Sequence, residues 1–148
     1  MILQMIEEDH GAVRDLIGVI GNSEMQAFAA RREAFARLAR LWRRHGAMMD
    51  AAVHPLMLDS AEGADTVSEA LQLQRQAEQL AQDLSDRQRD PSEPWRDGLS
   101  RLRELLDRQC ALEDVAFVGR IPALPPQRVA DMTRVAGDVR AAHAARAA

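Results

Sequence analysis

Apolar residues recur at three- and four-residue spacing through most of this chain, as in helices with one buried face. Ile6, His10, Val13, Leu16, Ile17 and Ile20 predict a first helix over roughly residues 1–20. Gly21-Asn22-Ser23 reads as its stop, with Ser23 placed to cap the next helix. Phe35, Leu38, Leu41, Trp42, His45, Met48, Met49, Ala52 and Val53 form the stripe of a long second helix that ends near Pro55. Ser60 to Asp65 reads as a polar loop. Ala70, Leu73, Gln74, Ala77, Leu80, Ala81 and Leu84 then mark a third helix. Asp90 to Pro94 breaks the chain and starts a fourth, with Pro in the first turn, where its missing N–H costs nothing. That helix carries Leu99, Leu102, Leu105, Leu106, Gln109, Leu112, Glu113, Ala116 and Phe117. After Pro122, Pro125 and Pro126, a narrower stripe of Val129, Met132, Ala136 and Val139 predicts a fifth helix packed outside the others.

Four long helices with short connections predict an all-α, antiparallel up-down bundle over residues 1–120, with an added C-terminal helix within 121–148. A shift of 64 residues superimposes the first two helices on the next two (10 on 74, 45 on 109). Leu16 then falls on Leu80, Leu38 on Leu102 and Met48 on Leu112. One offset serves both helix pairs, so the bundle reads as two copies of one hairpin. The same shift pairs His10 with Gln74, His45 with Gln109, Met49 with Glu113 and Asp50 with Asp114. Polar groups here occupy core stripes, where burial without a partner costs about 1–3 kcal/mol each. One inward polar group per helix predicts a shared polar site at the bundle centre.

The motifs around these positions resemble the hemerythrin-like HHE cation-binding family over roughly residues 1–120. Asp9-His10 matches that family's Asp-His pair on the first helix. His45-Gly-Ala-Met-Met49-Asp50 followed by His54-Pro55 has the spacing of its His-x-x-x-Glu-Glu run and aromatic-Pro. Gln74 stands where the third-helix His is expected, and Gln109-Cys-Ala-Leu-Glu113-Asp114 has the spacing of the second His-x-x-x-Glu-Glu. The resemblance implies a four-helix bundle around two irons. In the family, the His of the first two helices bind one iron and those of the last two bind the other. Here Gln74, Gln109 and Met49 replace two His and a bridging Glu. A neutral amide is a poor iron ligand and a thioether supplies no negative charge. A di-iron site with reversible O₂ binding is therefore not expected.

Two readings stay open. His10 and His45 could be hydrogen-bonded to Gln74, Gln109 and Glu113 in a satisfied, metal-free network. Alternatively, His10, His45 and Glu113 form a two-His, one-carboxylate set able to hold a single Fe, Mn or Zn ion, to which Glu78 could add a carboxylate. A haem between His45 and Met49 is a weaker reading, because Met at core spacing is ordinarily packing. The overall expectation is a non-enzymatic binding or regulatory module with a degenerate site and no resident cofactor. The single-metal module is the alternative.

Composition narrows the field further. Of 148 residues, 47% are hydrophobic and 28% charged, as in an ordinary soluble domain. The net charge of -4 gives no support for nucleic-acid binding, and one Cys excludes a Cys-based zinc site. Cys110 reads as a buried, inert thiol. No run is apolar enough to span a membrane, and three acids, Glu7 to Asp9, interrupt any signal-peptide core, so the expected compartment is the cytoplasm. Those acids read as partners of the first helix's dipole. Arg31, Arg32, Arg37, Arg40, Arg43 and Arg44 read as a solvated face, or less readily as a surface for an acidic partner. His54 and His143 are read as outside the site. The partner is an unspecified protein or small ligand, and a homodimer through the fifth helix or a bundle face is a further option. No phosphate loop, nucleophile elbow or zincin motif is present.

Overall fold

A computed structural model describes residues 1–147. The element order is α1 (Ile2–Gly21), α2 (Phe28–Ala52), α3 (Ala61–Asp86), α4 (Glu93–Glu113) and α5 (Pro126–Ala147). Short 3-10 turns at His54–Met57 and Ile121–Ala123 complete the connections, with a π-helical turn at Asp114–Val118 directly after α4. Each of α1–α4 packs on its two neighbours around a square, and α5 lies against α2 and α1. This is the expected antiparallel bundle with an added C-terminal helix.

The boundaries correct four local readings. Ser23 does not cap α2: its hydroxyl donates back to Ile20 O at 2.7 Å, and α2 starts later, at Phe28. Ser60 to Asp65 is not a loop, because the Ser60 hydroxyl accepts from Gly63 N at 3.0 Å and starts α3 at Ala61. Since α1 begins at Ile2, Glu7 to Asp9 fall beyond its first turn, out of reach of the dipole's strongest effect. Arg31 is no solvated residue. It is 1% exposed and gathers Glu24 O, Met25 O, the Ser23 hydroxyl and both oxygens of Gln88, fastening the α1–α2 turn to the α3–α4 turn.

The core has two parts. One cluster, built on Val13, Phe35, Leu38, Trp42, Leu84, Trp95 and Leu102, fills one end. The other, built on Ile2, Ile6, Met48, Met49, Phe117 and Ile121, fills the opposite end and receives Met132 and Ala136 of α5. His10 comes between Ile6 and Val13, His45 between Trp42 and Met48, and Gln74 between Ala70 and Ala77. The polar residues therefore form one layer sandwiched between two apolar ones, at the same height on every helix. No described helix is long and apolar enough to cross a membrane.

Candidate metal centre

Two imidazoles and one carboxylate converge in this layer. His10 Nε2 lies 2.9 Å from Glu113 Oε2, and His45 Nε2 lies 2.8 Å from the same oxygen. All three residues are at least 98% buried. One ligand atom from each lies within 4.8 Å of the others, which is close enough for one ion to engage all three. Nothing else among the described residues forms such a cluster.

The far side of each ring is also held. His45 Nδ1 faces Asp9 Oδ2 at 3.2 Å, and His10 Nδ1 faces Asp114 Oδ1 at 3.1 Å. A carboxylate behind a histidine fixes its ring orientation and aims the other nitrogen inward. Asp9 is itself buried and accepts from two guanidinium groups, Arg44 at 2.6 Å and Arg140 at 2.9 Å. The Trp42 indole stacks on His45 with ring centroids 4.5 Å apart and donates from Nε1 to Gln109 Oε1 at 3.2 Å.

The charges reinforce one another. Burial opposes charging His45, yet the facing Glu113 and Asp9 overcome it and push its pKa up to about 9. Burial likewise opposes ionising Glu113, but His45 and His10 hold its carboxyl far below the usual range. Asp9 is lowered against the same opposition, through its bond to His45 and the charges of His45, Arg140 and Arg44. Burial pushes the Cys110 thiol up to about 12, so it is the inert group expected.

The other half of the layer contains no charge of its own. Gln109 Nε2 donates to Gln74 Oε1 at 2.7 Å and to Glu113 Oε1 at 2.9 Å. Gln74 Nε2 donates to Trp42 O at 2.7 Å and Glu78 Oε1 at 3.1 Å. Neither glutamine bonds a histidine, which corrects the expectation of a His–Gln network. Glu78 serves Gln74 and stands outside the three-residue cluster. Gly46 explains how α2 and α3 come this close, since a Cβ there would lie 2.8 Å from the Gln74 amide. Met49 is packed in the apolar cluster and Asp50 is 71% exposed.

His54 and His143 do stand apart from the cluster. His54 is nevertheless buried, with neither ring nitrogen hydrogen-bonded among the described residues and Asp50 Oδ1 3.6 Å from Nδ1, and burial favours its neutral form. His143 is half-buried, its Nδ1 3.0 Å from Val139 O. The pattern of the sequence did not reveal the backing by Arg44 and Arg140. Arg44 adjoins His45 and could have been suspected, but Arg140 lies 131 positions from Asp9, on a helix outside the repeat.

Among known families, the sequence model of the hemerythrin HHE cation binding domain matches residues 1–121. The chain belongs to this family. No curated protein and no solved structure matches it. In this HHE domain, the Asp9-His10 pair and His45 meet Glu113 of the repeated motif in one cluster able to hold a cation.

Proposed function

We propose that this HHE domain binds a single divalent cation through His10, His45 and Glu113 and acts as a binding or sensing module, not as an O₂ carrier or an enzyme. The observation that carries this reading is the aim of both Nε2 atoms at one Glu113 oxygen, with a carboxylate behind each ring. Two imidazoles and one carboxylate suit Fe(II), Mn(II) or Zn(II) and leave positions open to a further ligand. When bound, such an ion supplies a Lewis-acidic centre inside the bundle. The chain's own part is to orient the imidazoles, neutralise charge through Glu113, and exclude water with Trp42 and Met48. Binding displaces protons from the ring nitrogens, so affinity rises with pH.

A two-iron centre does not fit. The positions that would hold the second ion carry amides bonded to each other and to Glu113, and Met49 brings no charge. The site is degenerate in this sense: it keeps the donors for one ion.

A second reading has its own support. Every hydrogen-bonding side-chain atom of His10, His45 and Glu113 has a protein partner. The layer could therefore serve as a metal-free polar core. Metal analysis separates the two. Protein purified without a His tag and titrated anaerobically with Fe(II), then with Mn(II) and Zn(II), is expected to retain one ion per chain. The His45→Ala variant is expected to retain none. Wild-type protein that retains no ion under any of these conditions would establish the metal-free reading.

A further inference from the structure

A basic groove of about 580 Å³ runs between α2 and α5. Its walls carry six guanidinium groups: Arg37, Arg40, Arg43 and Arg44 from α2, and Arg140 and Arg146 from α5. No carboxylate lines it among the described residues. Three acids stand at its edges, where Glu33 meets Arg40 at 3.5 Å, Glu8 meets Arg140 at 3.3 Å and Asp9 meets Arg44 and Arg140. Six positive groups against three negative ones leave an excess of three positive charges, on a chain whose net charge is -4. Arg37 and Arg146 have no ion-pair partner among the described residues, and the buried Nε atoms of Arg44 and Arg140 have no hydrogen-bond acceptor.

We propose that this groove binds a small oligophosphate anion, and that the bound anion competes with Asp9 for Arg44 and Arg140. Several arguments point to this ligand. Guanidinium forks match phosphate oxygens two at a time, which a single carboxylate rarely exploits from six sides. The volume suits a small ligand. The remaining walls are Leu41, Ala144 and Ala147 beside His143, with no Phe or Trp to stack a base, so recognition is of charge. The chain's net negative charge works against a long polyanion such as nucleic acid. The groove also communicates with the buried layer. Arg44 and Arg140 hold Asp9, and Asp9 holds His45 Nδ1. An anion that draws either guanidinium outward loosens the grip on Asp9 and with it the set of the His45 ring. Any effect on a bound cation rests on the function proposed above, whereas the groove itself does not.

The test uses metal-free protein and inorganic tripolyphosphate, so its outcome is separate from whether a cation binds. Calorimetry is expected to show one anion per chain, with affinity falling as salt is added. Arg37→Ala with Arg146→Ala, both exposed and unpaired, is expected to weaken binding about tenfold or more while thermal unfolding stays unchanged. Arg75→Ala with Arg101→Ala, on α3 and α4 outside the groove, is expected to leave binding unchanged. The ¹⁵N resonances of the His45 ring are expected to move on saturation. No binding, or equal weakening by both double variants, overturns the site. Binding that leaves the His45 resonances in place overturns the competition for Arg44 and Arg140.

Discussion

The two halves of the polar layer occupy equivalent positions in a repeated hairpin but are built from opposite chemistry. His10 and His45 are ringed by ions: Glu113 between them, Asp9 and Asp114 behind, Arg44 and Arg140 behind Asp9. Gln74 and Gln109 make do with each other, a backbone carbonyl, an indole and the free faces of Glu113 and Glu78. A buried imidazolium needs countercharge on every side, and each countercharge needs support in turn. An amide needs one acceptor per N–H and one donor per oxygen, and here a backbone carbonyl, a second amide, an indole and one oxygen each of Glu113 and Glu78 supply these with no charge on the amide itself to balance. Keeping histidines in a core therefore commits several other residues, whereas replacing them by glutamine releases those commitments. Glu113 belongs to both halves, with Oε2 on the histidines and Oε1 on Gln109.

That shared position makes Glu113 the most sensitive point. In metal-free protein, Glu113→Gln is expected to lower stability by about 3–5 kcal/mol, because it leaves the buried imidazoles without their shared countercharge. Urea unfolding would measure the loss, and a change under 1 kcal/mol would show that the ionic half is not held together by this carboxylate.

The next effect is on pH dependence. The His45 pKa is raised from 6.5 to about 9, so its contribution is fully present below pH 6.5 and is lost as pH rises through 9. For this fully buried group that change is worth about 3 kcal/mol. Below about pH 4.5, protonation of Glu113 and Asp9 removes stability from the acid side, and buried His54 adds to that loss from pH 6.5 downward. Metal-free protein unfolded in urea across pH 6–9, below the range where the Cys110 thiol of the unfolded chain is mostly ionised, should show the alkaline decline, and His45→Gln should flatten it. An equally steep decline in the variant would trace it to another group.

Asp9→Asn is expected to weaken cation binding about 10- to 100-fold without changing stoichiometry, since such backing residues typically contribute that much. Quenching of Trp42 fluorescence in a Trp95→Phe background would follow it, as Trp42 stacks on His45. Undiminished affinity would mean that Asp9 serves the fold alone.

The amide half should respond least, and non-additively. Gln109→Leu strands the Trp42 N–H and the Gln74 oxygen, at about 1–3 kcal/mol. Adding Gln74→Leu removes one stranded group and should cost less than the sum of the single changes. A double-mutant cycle in urea checks this, and strict additivity would mean the two amides do not act as a pair.

The helices and the polar layer were legible because each depends on local spacing within one helix. The expected bonds from both histidines to Glu113 are present, but those to the glutamines are not, because periodicity says which face a glutamine occupies and not which neighbour its amide reaches. Gln74 turned to Trp42 O and Gln109, a choice permitted by Gly46. Arg31 looked like one of several surface arginines, yet its burial depends on two turns that meet only in three dimensions. Ser23 and Ser60 both depart from the roles their local sequence suggests, since a Ser beside a break can bond forward or backward along the chain.

The π-helical turn after Glu113 has a further consequence. Gly119 N bonds Asp114 O at 3.2 Å, five residues back, so this turn holds one residue more than an ordinary one. Were the same residues to run on as ordinary α-helix, everything beyond them would turn by about 100° relative to Glu113. Ile121 could not then stay in the apolar cluster while Glu113 faces the histidines. The wide turn and its extra residue thus form a matched pair: a one-residue deletion inside it, with the turn closing to ordinary pitch, would leave the last connection in register, whereas the same deletion elsewhere in α4 would uncouple the bundle from it.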